Sequence, residues 1–221
     1  MWDDRILGFL SQLRFDARLP KGFAVMNPYR DLATLDVCRK FYGQFYHDDH
    51  PRTLMLGINP GRFGSGVTGI SFTDPVKLEQ NLGITNPFAK KPELSSDFIY
   101  RMIDAYGGPR LFYGQFFVSA LSPLGFLLNG KNVNYYDDAR LEKAATPFII
   151  RSVEQLLGMG PHREVVFCIG EGENLRFLTR LNETHGWFGR LVGLPHPRFV
   201  MQYRRKRLAE FIDLYLRALR P

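Results

Sequence analysis

Cysteine is nearly absent from this chain: its 221 residues include two, Cys38 and Cys168. Two thiols alone cannot hold a metal cluster, and they exclude the disulfide framework of a small secreted domain. Cys168 lies in the apolar run Val165-Val166-Phe167-Cys168-Ile169 and is expected to act as a small buried hydrophobe. Long apolar runs are missing too, since none approaches the ~20 residues of a membrane-spanning helix. The opening Met1-Trp2-Asp3-Asp4 has no basic lead of the kind that begins a signal peptide. Internal repeats and low-complexity linkers are absent. The expectation is one domain over residues 1–221, monomeric and cytoplasmic, with no membrane, metal or cofactor.

What is present is apolar and basic. Apolar residues make up 45% of the chain and aromatics 14%, enough to build a large core and to exclude disorder. Lys and Arg number 29 against 22 Asp and Glu, a net charge of +7 that favours a polyanionic partner.

Periodicity gives the order of elements. The spacing of Ile6, Leu7, Phe9, Leu10 and Leu13 predicts a helix over 4–13. Leu32, Leu35, Val37, Phe41 and Phe45 predict another over 31–45. A turn at His50-Pro51 precedes an apolar strand over 53–58. Asp74 is a candidate N-cap, with Pro75 at the first helical position, for a short helix over 75–82. Ser95 and Ser96 are candidate caps of a helix running to Tyr106. A second strand is expected over 112–119, followed by a loop over 120–125. A long helix covers 137–157, with Thr146-Pro147 as a point of kinking or division. A third strand over 164–169 stops at Gly170-Glu171-Gly172, and a helix over 173–185 and a short strand over 190–194 follow. Pro195-His196-Pro197-Arg198 then leads into a basic amphipathic helix over 203–219. Strands alternate with helices, so the fold class is α/β, with a mostly parallel sheet covered on both faces. In such a sheet the residues that follow strands gather on one edge, where ligands bind. Here those residues are Asn59, the 119–122 loop, Gly170 and His196.

The first strand delivers one polar side chain, Asn59, into a loop with glycines at 61, 64, 66 and 69. Glycine lets a backbone approach a ligand closely. The stretch Gly64-Ser65-Gly66-Val67-Thr68-Gly69 also matches the dinucleotide pattern G-x-G-x-x-G. That pattern needs to follow its strand directly and to open a helix. Here Pro60 and four more residues intervene, and Ile70-Ser71-Phe72-Thr73-Asp74-Pro75 is no helix start. Three readings of the loop stand at this point: a catalytic site, a purely structural turn, and a nucleotide cradle.

The stretch Gly57-Ile58-Asn59-Pro60-Gly61, with Phe63-Gly64 and then Thr68-Gly69-Ile70-Ser71-Phe72, resembles the first motif of uracil-DNA glycosylases of the single-strand-selective monofunctional type. Pro195-His196-Pro197-Arg198 resembles the second motif of that superfamily. Met26-Asn27-Pro28-Tyr29, Ser122-Pro123-Leu124 and Asn129-Gly130-Lys131-Asn132 resemble further segments, so the likeness runs through nearly the whole chain in order. There are two departures. Ala120 stands where the family places an Asn that reads the base, and Pro197 runs straight into Arg198-Phe199 without the family's extra Ser-Pro.

The resemblance implies a three-layer α/β/α sandwich with a short, mostly parallel central sheet. It implies hydrolysis of the N-glycosidic bond of uracil or a related damaged base in DNA, after the nucleotide is flipped out. No metal or cofactor is implied, the partner is DNA, and a bacterial member would associate with the nucleoid. Asn59 would hold the attacking water and His196 would donate to the departing base. Phe72 would stack on that base, with Gly57, Ile58, Gly61, Phe63, Ser65, Ser119 and Ala120 lining the pocket. Arg198, Arg204, Arg205, Lys206 and Arg207 would grip phosphates, and Phe199, Met201 or Tyr203 would wedge into the vacated stack. A basic first turn opposes the helix dipole, so that run does not serve helix stability. The motif cores hold no lysine for a Schiff base, which implies a monofunctional enzyme. Two cysteines are too few for a cluster-binding branch. A catalytically silent relative that binds nucleic acid is the alternative, with Ala120 as its support, and a nucleotide-binding protein is a further one.

Overall fold

The computed structural model describes residues 1–220. In chain order its elements are α1 (Trp2–Gln12), β1 (Phe23–Met26), α2 (Leu32–Phe45), β2 (Thr53–Gly57), α3 (Ser65–Thr68), α4 (Pro75–Gln80), α5 (Leu94–Tyr106) and α6 (Pro109–Gln115). They continue with β3 (Phe116–Ala120), β4 (Gly125–Leu128), β5 (Lys131–Val133), α7 (Ala139–Gly158), β6 (His162–Ile169), α8 (Glu173–His185), β7 (Arg190–Leu194), α9 (Pro197–Tyr203) and α10 (Leu208–Leu219).

Four strands pair in the order β3-β2-β6-β7, every pair parallel. All of β3 and four of the five residues of β2 are buried, as a parallel sheet covered by helices requires. This is the mixed α/β architecture expected from the alternation of elements. A second, antiparallel sheet, β1-β4-β5, was not expected. Its hairpin turns at Asn129-Gly130, both with positive φ (49° and 75°), the backbone that a two-residue primed turn demands.

The aromatic residues cement the helices to the sheet. Phe41, Phe45 and Tyr46 surround Tyr113 with ring centroids 5.0–6.0 Å apart, and Trp2 meets Phe117 edge-on at 5.7 Å. The Tyr46 hydroxyl donates to Phe116 O at 3.0 Å, so its polar tip is satisfied inside the core. On the other side α5 packs against α10 through Phe98 and Tyr215, 5.0 Å apart.

Several boundaries differ from the sequence reading. Residues 112–115 belong to helix α6, which begins at Pro109 after Gly108, and only Phe116–Ala120 is strand. Helix α5 takes Glu93 as its N-cap, leaving Ser95 and Ser96 inside the first turn. Pro147 does not divide α7, which runs unbroken for 20 residues. The basic helix expected over 203–219 begins instead with a 3-10 turn at Arg205–Arg207 followed by α10, and a further helix not expected from the sequence, α9, precedes it directly after His196. Within the glycine loop Ser65–Thr68 forms a single helical turn that ends at Gly69 in the left-handed region. No described helix is long and apolar enough to cross a membrane.

Candidate active site

The parallel strands deliver their carboxyl ends to one edge, and a cavity of about 760 Å³ opens there. That size suits a small-molecule or single-nucleotide ligand, within the roughly 300–1,000 Å³ of such sites. Asn59 and His196 both line it, together with Gly57, Ile58, Gly61, Phe63, Ser65, Phe72, Ser119 and Ala120. Arg198, Phe199 and Tyr203 form part of its mouth, whereas Arg204, Arg205, Lys206 and Arg207 lie outside the lining. Met201 is buried in α9 at 3% exposure and does not reach the mouth, which removes it as a wedge.

Asn59 follows the end of β2 and is held by backbone groups. Its Oδ1 accepts the N–H of Tyr135 at 3.0 Å, and its Nδ2 donates to Val133 O at 3.2 Å and Pro60 O at 3.4 Å. These bonds orient the amide and tie β2 to the segment after β5. The Tyr135 hydroxyl in turn donates to Asn174 Oδ1 at 2.8 Å, and Asn174 Nδ2 donates to Ile169 O at 3.3 Å. One chain of bonds therefore braces the ends of β2 and β6 against each other. Burial pushes the Tyr135 phenol well above its ordinary pKa, so it serves as a fixed neutral donor.

His196 is the N-cap of α9, with Pro197 at the first helical position. Its Nδ1 accepts the backbone N–H of Arg198 at 3.2 Å, which assigns the remaining ring proton to Nε2. Burial, reinforced by the Arg198 charge, lowers its pKa to about 4, so the ring is neutral at pH 7. The Tyr215 hydroxyl donates to Pro195 O at 2.6 Å and anchors the turn from α10. His196 is thus a rigid neutral N–H donor.

The Phe72 ring centroid lies 5.9 Å from that of His196. Phe72 has φ 53°, a left-handed conformation that costs a non-glycine residue about 1–2 kcal/mol. Buried Thr68 braces the turn: its Oγ1 donates to Thr73 O at 2.7 Å and accepts from the N–H of Ile70 at 3.2 Å. Gly57 makes room for the ring, because a Cβ there would stand 2.9 Å from Phe72 Cε2. Phe63 is 40% exposed at the rim, with Arg62 and Lys91 over its ring at 4.6 and 5.1 Å. No cluster of described residues is arranged to hold a metal ion.

A family model for the uracil DNA glycosylase superfamily matches residues 44–220. The chain belongs to the uracil DNA glycosylase superfamily. Among solved structures it is similar to wild-type SMUG2 from Pedobacter heparinus, at 43% identity and a TM-score of 0.96, over 98% of this chain and 96% of that one. No curated protein matches it. The superfamily member described here is a monofunctional DNA glycosylase, a hydrolase of N-glycosyl bonds acting in base excision repair. The dinucleotide pattern in its glycine loop opens only the single turn Ser65–Thr68 and not the helix such a fingerprint requires. Three residues at this edge escaped the sequence reading: Tyr135, Asn174 and Glu93. None lies in a motif. Only Asn174 carried a signal, since it follows the Gly170-Glu171-Gly172 break after a strand.

Proposed function

We propose that Asn59 and His196 divide the chemistry of base excision between them. The observation that carries this is their meeting in one cavity, with the Phe72 ring beside His196, at the carboxyl edge of the parallel sheet. The target nucleotide enters flipped, its base against Phe72. As the glycosidic bond lengthens, the sugar gains oxocarbenium character and the base gains negative charge. His196 Nε2–H faces the base carbonyl oxygen and stabilises that charge without transferring its proton. Asn59 Oδ1 spends one lone pair on Tyr135 and keeps the other for a water hydrogen. That water adds to the anomeric carbon and releases one proton, and the departing base takes up a proton, so the step balances. An amide orients water but is a weak base, so turnover is modest. Ala120 presents a methyl group where a reading amide is expected, so discrimination among bases rests on the cavity's shape and on backbone groups.

The test is excision from single- and double-stranded oligonucleotides carrying uracil, hypoxanthine, xanthine or an oxidised pyrimidine, read by alkaline cleavage. Uracil release is expected, and borohydride should trap no protein–DNA adduct because water is the nucleophile. Binding without release of any base would leave a silent relative, and a trapped adduct would overturn the water mechanism.

The basic segment after α9 grips DNA in this proposal. Arg205 and Lys206 are exposed, and Arg204 lies over the exposed Phe199 ring at 5.4 Å. Arg207 is paired with Glu210 at 2.7 Å and has less charge to offer. Neutralising Arg204 and Arg205 together should weaken binding about equally for damaged and undamaged DNA. Each lost phosphate contact should flatten the log–log salt slope by about 0.7 on single strands and 0.9 on duplex. Neutralising Arg207 should change the slope less. Titrations across several salt concentrations check this, and identical slopes for wild type and double variant would make the run a solvated surface.

A further inference from the structure

The carboxylate of Glu93 sits against the glycine loop from outside both motifs. Glu93 lines the cavity as the N-cap residue of α5. Its carboxylate packs against the backbone of the glycine loop, where the N–H groups of Phe63 and Gly64 favour its charged form. The space it occupies exists because two loop residues have no side chain. A Cβ on Gly61 would stand 3.2 Å from Glu93 Oε1, and one on Gly64 would overlap Glu93 Oε2. The Glu93 backbone is fixed in turn. Its N–H donates to Asp74 Oδ2 at 2.8 Å, while Asp74 Oδ1 caps α4 by accepting the N–H groups of Val76 and Lys77, both at 2.9 Å. Asp74 is fully buried, so this anchor is shielded from water. Burial raises the pKa of this carboxyl above its ordinary value and the charge of Asp74 adds to the rise, while the N–H groups of Phe63 and Gly64 and the more distant charge of Arg198, two residues past His196, act the other way.

At the start of α5, Glu93 thus meets the loop over 61–64 through its side chain and the cap of α4 through its backbone, with the charge of Arg198 at the start of α9 acting on its carboxylate. Both carboxylate oxygens lie against the positions that a Cβ on Gly61 or Gly64 would take, so the side chain packs directly on the loop backbone. The loop's own turn bonds use its carbonyls, from Gly66 N–H to Gly61 O at 2.8 Å and from Val67 and Thr68 N–H to Gly64 O at 2.8 and 2.9 Å, and leave the 61–64 face toward α5 to Glu93.

We propose that Glu93 is the positioning residue of the glycine loop, its carboxylate filling the space left by Gly61 and Gly64 and holding residues 61–64 in the form that shapes the base cavity. This inference rests on the cavity being the base pocket, and its test has one arm that is independent of excision. Glu93 touches neither water nor base in this scheme. It acts through Phe63 and Gly64, and so on the wall that ends in Ser65.

The experiment compares the wild type with Glu93→Ala, Glu93→Gln and Gly64→Ala, and with Glu93→Ala combined with Gly64→Ala. Amide hydrogen exchange at residues 63 and 64 should quicken about tenfold or more in Glu93→Ala, with the β2 amides unchanged. Single-turnover excision should fall about tenfold to a hundredfold, as a displacement of about 1 Å costs elsewhere, with DNA affinity nearly unaltered. Glu93→Gln keeps one acceptor and turns an NH₂ toward an N–H, so it should lie between wild type and alanine. Gly64→Ala should reproduce the loss by expelling the carboxylate, and should cost less when Glu93 is already alanine. Any backbone strain at position 64 is common to both backgrounds and cancels in that comparison. Unchanged exchange at 63 and 64 in Glu93→Ala overturns the proposal whatever happens to excision. So does strict additivity of the two alanine substitutions in excision or, if no variant excises any base, in exchange. Altered exchange with no excision even by the wild type would uphold the latch and refute the function assigned to the cavity.

Discussion

His196→Ala should lower single-turnover excision by about a hundredfold to a thousandfold, the usual cost of removing one donor from a developing anion, while DNA affinity stays within about threefold. The size follows from a fixed ring. The imidazole is tied at Nδ1 by the N–H of Arg198 and anchored through Pro195, so Nε2–H needs no reorganisation when charge appears on the base. The pH dependence separates this from acid catalysis. With its pKa lowered from 6.5 to about 4, the ring stays neutral across the range in which ordinary histidines titrate. The wild-type rate should therefore show no inflection near 6.5 that His196→Ala abolishes, and finding one would mean a charged imidazole does the work. Stability should respond in the same window. Between pH 6.5 and about 4 the unfolded chain binds a proton at His196 and the folded chain does not. Stability is thus present above 6.5 and lost as pH falls toward 4, and the alanine variant should lose less over that interval.

Asn59→Ala should lower excision by about two orders of magnitude or more, because a water left unpositioned forfeits the advantage of a bound near-attack geometry. A second, smaller effect accompanies it. The bonds to Tyr135 and Val133 vanish too, at about 1 kcal/mol each, so the melting midpoint should fall by several degrees. The two readouts distinguish the roles. A rate close to wild type with a lowered midpoint would make Asn59 a strand-end brace and nothing more. A large loss of rate at temperatures where the variant remains folded supports the water-positioning role.

Much of the fold was legible because local chemistry agreed with the tertiary structure. Asp74 caps α4 as its position before Pro75 implied, while Asp31, read as the first residue of its helix, instead caps α2 by accepting the N–H of Thr34 at 2.8 Å. Helix α8 and strand β7 fall on their expected bounds because glycines or a tight turn punctuate them. Residues 112–115 misled because Phe112 and Tyr113 are strand-favouring aromatics, while the contrary signal was Pro109 following Gly108. The second sheet was missed for its brevity: β4 and β5 span four and three residues, below the length at which alternation is visible. Asn129-Gly130 did announce that hairpin. The site divides in the same way. Asn59 and His196 follow strand ends, where position drew attention to them, and Phe72 was singled out by the resemblance of its motif. Glu93 and Tyr135 act through contacts made by segments far apart in sequence, which no local pattern encodes, and Asn174 was marked only by the glycine break before it. Met201 was a candidate wedge, but its register on α9 turns it into the core.

The order of the parallel sheet also constrains how the enzyme comes into being. Strand β2 lies between β3 and β6, and β6 is synthesised about a hundred residues after it. Until then β2 has one partner, and an apolar strand edge stays open to pairing with other chains. Non-local pairing of this kind slows folding and lengthens that exposure, so refolding at high protein concentration should favour aggregation. The growing chain acquires Asn59 early and His196 only after β7, near its end. Under the proposed division of roles, a nascent or truncated chain carries Asn59 without His196, so base release awaits completion of the last strand.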